Sequence, residues 1–121
     1  MRVYINLSTH SSNNWSKTQL SAARAYGDIT DIPFPQIDPG ADSSVINELV
    51  SRYLGIILEY DTASVMLQGE FVFTYRLVKA LKERGIKVLS ACSERRVSEY
   101  TDENGRTQSR SEFEFVGFRE Y

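Results

Sequence analysis

The chain has 121 residues, of which 41% are hydrophobic and 25% charged, and its formal net charge is −2. These totals predict one globular domain over residues 1–121 and exclude a protein that attracts polyanions through its overall charge. No run of about 18 apolar residues occurs, which excludes a transmembrane helix, and the first seven residues are too few and too polar for a signal peptide. We therefore expect no membrane partner and a cytoplasmic location, which the single cysteine, Cys92, also fits.

The first part of the chain predicts a strand, a helix and a second strand. Residues 2–7 alternate in polarity and are rich in β-formers, so they predict a strand that leads into a polar loop over residues 8–14. Ser16 has the capping-box spacing to a following glutamine, which predicts the start of a helix. Trp15 occupies the staple position before it, and stacking on a ligand is its alternative role. Residues 28–32 predict a short second strand.

The middle of the chain predicts a helix, a buried strand and a further helix. The first of these helices starts near Asp42 or Ser44, both of which are good N-caps. Residues 65–67 form an apolar run typical of a strand buried on both faces, and the helix after it ends at Gly85. Gly69 lies in the turn between that strand and that helix. A glycine at this place either lets a ligand approach the backbone or relieves strain in a tight turn.

The last part of the chain predicts a strand, a loop and a hairpin. Residues 86–91 predict the fourth strand, and the polar residues 92–96 predict a loop at its carboxyl end. Residues 97–101 and 111–118 predict two antiparallel strands, with a strong turn signal at residues 102–105 between them.

This order of elements predicts an α/β fold, namely a Rossmann-like, mostly parallel sheet with helices on both faces and a C-terminal β-hairpin. Ligands bind such sheets beyond the carboxyl ends of the strands, where the strand order reverses. If the first strand is central, the segments after strands one, three and four converge at that place. These segments carry the candidate ligand-binding residues Ser8, Thr9, Ser11, Asn13, Gln68, Gly69, Phe71, Ser93 and Arg96.

Short motifs in the same segments resemble those of a known family. They lie at residues 6–10, 15–19, 67–71 and 91–95, and they include a Ser-x-His, a Gln-Gly-Glu turn and a Ser-x-Arg. A terminal hairpin that ends in Phe-Arg-Glu-Tyr follows them. In its elements and motifs the chain resembles, over nearly its whole length, the small CRISPR-associated proteins with a CARF-like Rossmann fold. Members of that group are implicated as ring nucleases of type III CRISPR systems.

The resemblance implies a specific ligand and reaction. The ligand is cyclic oligoadenylate, above all the four-membered ring, held across the two-fold axis of a homodimer. Cleavage needs no metal and no other cofactor, because a ribose 2′-hydroxyl attacks its own phosphate and leaves a 2′,3′-cyclic phosphate. The activity switches off type III CRISPR signalling, and the expected partners include no DNA.

Three residues suit this chemistry as candidate catalytic groups. His10, the only histidine, suits proton transfer to the departing 5′-oxygen, with an ordinary loop histidine as the alternative. Arg95 suits a bidentate grip on a phosphate, or else a surface ion pair. Glu70, with Glu94 as an alternative, suits a base, but a carboxylate at its position also favours a helix N-terminus.

Two other functions fit the same predicted fold. One is a sensor that binds the ring without cutting it and passes the signal to a partner protein. The other is an interaction module that binds no nucleotide, because a fold by itself does not fix a function.

Overall fold

The computed structural model describes residues 2–121. This part of the chain contains five strands and three α-helices. The α/β class predicted from the sequence is therefore confirmed. Along the chain the elements are β1 Val3–Ser8, the 3-10 turn Ser12–Asn14, α1 Lys17–Arg24, β2 Asp28–Asp31, α2 Ser43–Leu58, β3 Thr62–Gln68, α3 Phe71–Glu83, β4 Lys87–Thr101 and β5 Thr107–Glu120.

The five strands form one mixed sheet in the order β2-β1-β3-β4-β5. The first four strands are parallel to their neighbours, and β5 is antiparallel to β4. The sheet is thus not the clean parallel sheet of a Rossmann fold, and β3 rather than β1 is its middle strand. From β1 the chain first builds β2 on one side and then β3 on the other, so the strand order reverses between β1 and β3.

Helices cover both faces of the sheet. Side chains of a strand alternate between its faces, so Ile5 and Val65 point one way while Tyr4 and Met66 point the other. The first set packs with residues of α2 and α3 in the larger core, and the second set packs with Ala23 of α1 in the smaller core. Burial on both faces explains the unbroken apolar run from Val65 to Leu67 in β3.

The loop predicted at residues 92–96 is wrong, because those residues continue β4. Ser93 pairs with Phe115 and Arg95 with Phe113 across the hairpin, with a register shift between Cys92 and Ser93. β5 therefore satisfies the backbone groups of a stretch whose side chains are exposed on both faces. An exposed ribbon needs no alternation of apolar and polar residues, and for this reason polarity alone suggested a loop.

The predicted helix starts and turns are largely confirmed. Ser16 caps α1 by accepting a hydrogen bond from the Gln19 amide at 3.2 Å. Asp42 caps α2, and hydrogen bonds from the Ser44 hydroxyl and nearby amides hold the pKa of its carboxyl below the usual range. Gly105 lies in the predicted hairpin turn with a φ of 76°, a conformation that glycine adopts without strain. None of the helices in residues 2–121 is long and apolar enough to cross a membrane.

Candidate functional site

A cleft of about 650 Å³ opens at the carboxyl ends of β1 and β3, beside β4. This is the place where the strand order reverses, and the volume falls within the range of small-molecule sites, about 300 to 1,000 Å³. The lining comes from four segments of the chain: Ser8, Thr9, His10, Asn14, Trp15, Gln19, Met66, Gln68, Gly69, Ala91, Ser93 and Phe113.

The structure brings six of the residues predicted from the sequence into this cleft. They are Ser8, Thr9, His10, Gln68, Gly69 and Ser93. Three distant parts of the chain supply them, and the parallel arrangement of β1, β3 and β4 aligns their carboxyl ends at one edge. The convergence follows from the topology, even though Ser93 lies in a strand and not in the predicted loop.

A buried asparagine organises the polar loop after β1. The side chain of Asn6 donates to the His10 carbonyl at 2.9 Å and to the Asp31 carboxylate at 3.0 Å, and it accepts from the Ser8 hydroxyl at 2.7 Å. Asp31 also accepts from the Ser12 hydroxyl at 2.9 Å. A buried amide is costly when its hydrogen bonds are not made, so this network fixes the loop. Asn6 and Asp31 were not among the predicted site residues, although a polar residue among the apolar residues of β1 was a signal for Asn6.

His10 is held by its backbone, which leaves its imidazole free for a ligand. Its carbonyl accepts from the Asn6 side chain at 2.9 Å, and its amide donates to the Ser8 hydroxyl at 3.3 Å. Within residues 2–121 the ring makes no hydrogen bond, and it lies exposed at the edge of the cleft. A fixed backbone with an uncommitted ring suits a residue that meets substrate.

Gln68 extends the sheet beyond the last paired residues of β3 and β4. Backbone pairing of these strands ends at Met66 and Leu89. The Gln68 side-chain oxygen then accepts from the Ala91 amide at 2.7 Å, which replaces the missing ladder bond. The contact ties β4 to β3 at the cleft, and it gives Gln68 a structural role beside any contact with ligand.

An aromatic ring fills the space where a side chain at Gly69 would lie. A Cβ at this position would overlap the ring of Phe34, which comes from the extended segment before α2. The Phe34 ring packs edge-on against Phe73, with 5.3 Å between the ring centres. The absence of a side chain at Gly69 is therefore explained by packing, although the residue also lines the cleft.

Two aromatic side chains form walls of the cleft. Trp15 packs against the smaller core and meets Tyr4 edge-on, with 6.5 Å between the ring centres. Phe113 comes from β5 and is 75% exposed. An exposed phenyl ring beside a cleft offers a stacking surface for a base or another flat ligand.

Glu70 and Phe71 do not line this cleft. Glu70 is the N-cap of α3, and its carboxylate accepts from the Phe73 amide at 2.9 Å. This contact agrees with the structural alternative for Glu70, a carboxylate that stabilises a helix N-terminus. Phe71 starts α3 and is 90% exposed.

Ser11, Asn13 and Arg96 also lie outside the lining of this cleft. Ser11 accepts from the Asn13 amide and lines a neighbouring cleft of about 460 Å³ on the other side of the loop. Arg96 forms ion pairs with Glu114 at 2.7 Å and Glu94 at 3.6 Å, on the face of the hairpin opposite Ser93. Its guanidinium therefore points away from the cleft.

Arg95 is the cation nearest to the cleft along β4. It pairs with Phe113, and residues that pair across two strands share a face of the sheet. Its Nε donates to the Ser111 hydroxyl at 3.0 Å. Within residues 2–121 it forms no ion pair, so its charge is not neutralised by a carboxylate.

Together these features define an α/β protein with a polar, aromatic-walled cleft at the reversal of strand order. The chain belongs to the family described as Uncharacterized protein MJ1673 family, whose model matches residues 2–119. No curated protein matches the chain. The family description names neither a ligand nor a reaction, so the ring-nuclease resemblance stays a prediction.

Proposed function

We propose that the chain is a CARF-like ring nuclease that binds cyclic oligoadenylate, with the four-membered ring as its main substrate, and cleaves it without a metal. The main support is the meeting of Ser8–His10, Gln68–Gly69 and Ser93 in one cleft, because these segments carry the motifs of the resemblance. Regulation of type III CRISPR signalling is the corresponding biological role.

The lining suits a nucleotide ligand in two respects. Trp15 and Phe113 offer faces and edges for stacking bases, which is worth about 1 to 3 kcal/mol for each stacked base. The hydroxyls of Ser8, Thr9 and Ser93 are short hydrogen-bonding groups for ribose and phosphate oxygens. Arg95 supplies positive charge for a phosphate from the adjoining part of β4.

In the proposed reaction the 2′-oxygen of a ribose forms a bond to the adjacent phosphorus, and the bond from phosphorus to the 5′-oxygen breaks. The 2′-hydroxyl loses its proton to water, and His10 gives a proton to the departing 5′-oxygen. The products are a 5′-hydroxyl and a 2′,3′-cyclic phosphate. The task of the fixed loop Ser8–His10 is to hold the ribose so that attack is in line.

A second candidate function is binding without cleavage. It is favoured by one observation: no Asp or Glu lines the cleft within residues 2–121, and the Glu70 carboxylate is bound to the Phe73 amide. Without a protein base, deprotonation of the 2′-hydroxyl depends on solvent. A protein of this kind would hold the ring intact and lower its free concentration.

The two functions are separated by incubating the purified chain with labelled cyclic tetra-adenylate in EDTA. Linear product with a 2′,3′-cyclic phosphate supports the nuclease, and a bound but intact ring supports the binder. For the nuclease we expect His10→Ala to slow single-turnover cleavage by roughly 100-fold, with affinity within about tenfold of wild type. Arg110→Ala, on the opposite face of the hairpin, is the matched control. A near-normal rate in His10→Ala contradicts the role of His10 as the acid.

A further inference from the structure

The hairpin of β4 and β5 extends beyond the sheet as an arm, defined here as residues 93–115. All of these residues are exposed except Asp102 in the turn and Phe115 at the base, which are partly buried. At about 3.4 Å per residue, the eight steps from Ser93 to Thr101 reach roughly 27 Å, which approaches the width of a small domain. The arm has no third strand or helix over it within residues 2–121, so both of its faces are open to a partner.

The two faces of the arm differ in their charges. The outer face carries ion pairs between Arg96 and Glu114 at 2.7 Å and between Arg110 and Glu112 at 3.0 Å, as expected for a solvated face. The cleft-side face is formed by Ser93, Arg95, Val97, Glu99 and Thr101 of β4 with Thr107, Ser109, Ser111, Phe113 and Phe115 of β5. Within residues 2–121 that face has no ion pair.

The cleft-side face is complementary to a second copy of itself. It carries one base, Arg95, and one acid, Glu99, placed evenly on either side of Val97, which is 61% exposed. A two-fold axis at Val97, perpendicular to the strand and in the plane of contact, sets two arms face to face and antiparallel. Arg95 then lies opposite Glu99 of the partner subunit, twice by symmetry, and Val97 lies opposite its own copy.

The same two-fold carries the tip of each arm to the other copy's cleft. Thr101 lies opposite Ser93 of the partner subunit, and Ser93 lines the cleft. In this arrangement the turn that follows Thr101 would lie over the cleft mouth of the other copy. It carries Arg106, which forms no ion pair within residues 2–121, whereas the cleft lining contains no Lys or Arg of its own.

We propose that the arms of two copies cross on their cleft-side faces around Val97, and that the turn of each arm closes the cleft of the other copy with Arg106. The occupant of the cleft-side face is thus a second copy of this chain, and the dimer has one cleft in each copy rather than the single site on the two-fold axis that the resemblance implies. Arg95 has five N–H donors, of which one is used by Ser111, so it serves the partner's carboxylate and a phosphate together. Only the role of Arg106 toward a nucleotide rests on the proposed function.

Charge reversal tests the crossing by sedimentation velocity without any ligand. We expect a wild-type dimer at micromolar concentration, and dissociation constants raised about tenfold or more by Arg95→Glu and by Glu99→Arg. The double variant Arg95→Glu/Glu99→Arg restores attraction and the dimer. Arg110→Glu, on the outer face, is the control, and circular dichroism checks folding of every variant. A monomeric wild type, or a double variant no better than the singles, overturns the proposal.

Closure of the cleft is tested through Trp15, the only tryptophan, which lines it. A nitroxide label on Asn104→Cys, in a Cys92→Ser chain, quenches Trp15 fluorescence in the dimer and loses this effect when Arg95→Glu is added. A dimer without quenching overturns the placement of the turn. With labelled cyclic tetra-adenylate, Arg106→Ala weakens binding about fivefold or more and leaves the dimer intact. Unchanged affinity removes Arg106 from the site, whereas a wild type that binds no ring contradicts the proposed function alone.

Discussion

Replacing Gly69 by alanine tests whether packing or ligand approach requires glycine at the turn into α3. An alanine Cβ would overlap the Phe34 ring. That ring cannot retreat easily, because it packs against Phe73, which is fully buried in the larger core. Forcing an extra carbon into a packed core costs about 1 to 3 kcal/mol, while loss of glycine's freedom in the unfolded chain offsets about 0.4 to 1 kcal/mol. The difference is a net loss of about 0 to 2.6 kcal/mol in the free energy of unfolding, and we expect a value near the middle of that range, about 1.3 kcal/mol.

The assay is urea denaturation of the ligand-free protein, followed by circular dichroism. Gly55→Ala is the matched control, since Gly55 lies exposed within α2 and an added Cβ meets nothing within 4 Å. There the same substitution should stabilise by about 0.5 to 1 kcal/mol, because alanine is the better helix former. Phe34→Leu in a double-mutant cycle should reduce the penalty of Gly69→Ala, with a coupling of about 0.5 kcal/mol or more.

An unchanged or raised stability of Gly69→Ala would refute this reasoning. It would mean that Phe34 shifts without cost, and the glycine would then have to be explained by the approach of a ligand. In that case Gly69→Ala should lower the affinity for the ligand and leave the stability of the protein unchanged. Packing against Phe34 and the approach of a ligand thus predict opposite outcomes in the ligand-free protein.

Three further predictions follow from individual contacts. The Tyr4 hydroxyl is buried without a hydrogen-bond partner within residues 2–121, so Tyr4→Phe should stabilise the protein by up to about 1 kcal/mol. Burial, and to a smaller extent Tyr26, raises the pKa of Tyr4 above its ordinary value of 10.0. The stability of the wild type should therefore fall as the pH rises past 10.0, and the stability of Tyr4→Phe should fall less. Hydrogen bonds of the α2 cap lower the pKa of Asp42 from 3.8, so its contribution to stability is present above pH 3.8 and is lost as the pH falls below that value. Asp42→Ala should therefore lower the melting temperature more at pH 7 than at pH 3. Arg95→Ala should weaken binding of cyclic tetra-adenylate in a titration, most strongly at low salt, and an unchanged affinity would assign Arg95 to the protein–protein contact alone.

The elements with local signals were predictable from the sequence. Ser16, Asp42 and Gly85 mark helix ends through side-chain or backbone chemistry that acts within a few residues, and the structure places helix ends there. The buried strands were equally clear, because Val65 to Leu67 are apolar without a break. Parallel strands linked by helices then fix where their carboxyl ends meet, which is why six cleft residues were predictable from the sequence.

The features that depend on contacts between distant residues were not predictable. The length of β4 is set by pairing with β5, since Arg95 and Arg96 have no strand signal of their own. Asn6 and Asp31 are 25 residues apart, and only the parallel pairing of β1 and β2 brings them within 3.0 Å. Arg96 was a reasonable phosphate ligand from its sequence position, but the alternation of side chains along β4 places it on the outer face with Glu114.

The continuity of β4 connects the cleft to the proposed contact between copies. Ser93 lines the cleft, Arg95 lies one pleat further and Val97 one pleat beyond that, all in one hydrogen-bonded ladder with β5. A ligand that orders the base of this ladder therefore acts on the same element that meets the second copy. By thermodynamic linkage, if dimer formation raises the affinity for the ring by some factor, the ring must strengthen the dimer by that factor for each site filled. Sedimentation with and without ligand, and titration of wild type against Glu99→Arg, measure the two sides of this equality. A factor of one on both sides would mean that ligand and partner are not coupled through β4.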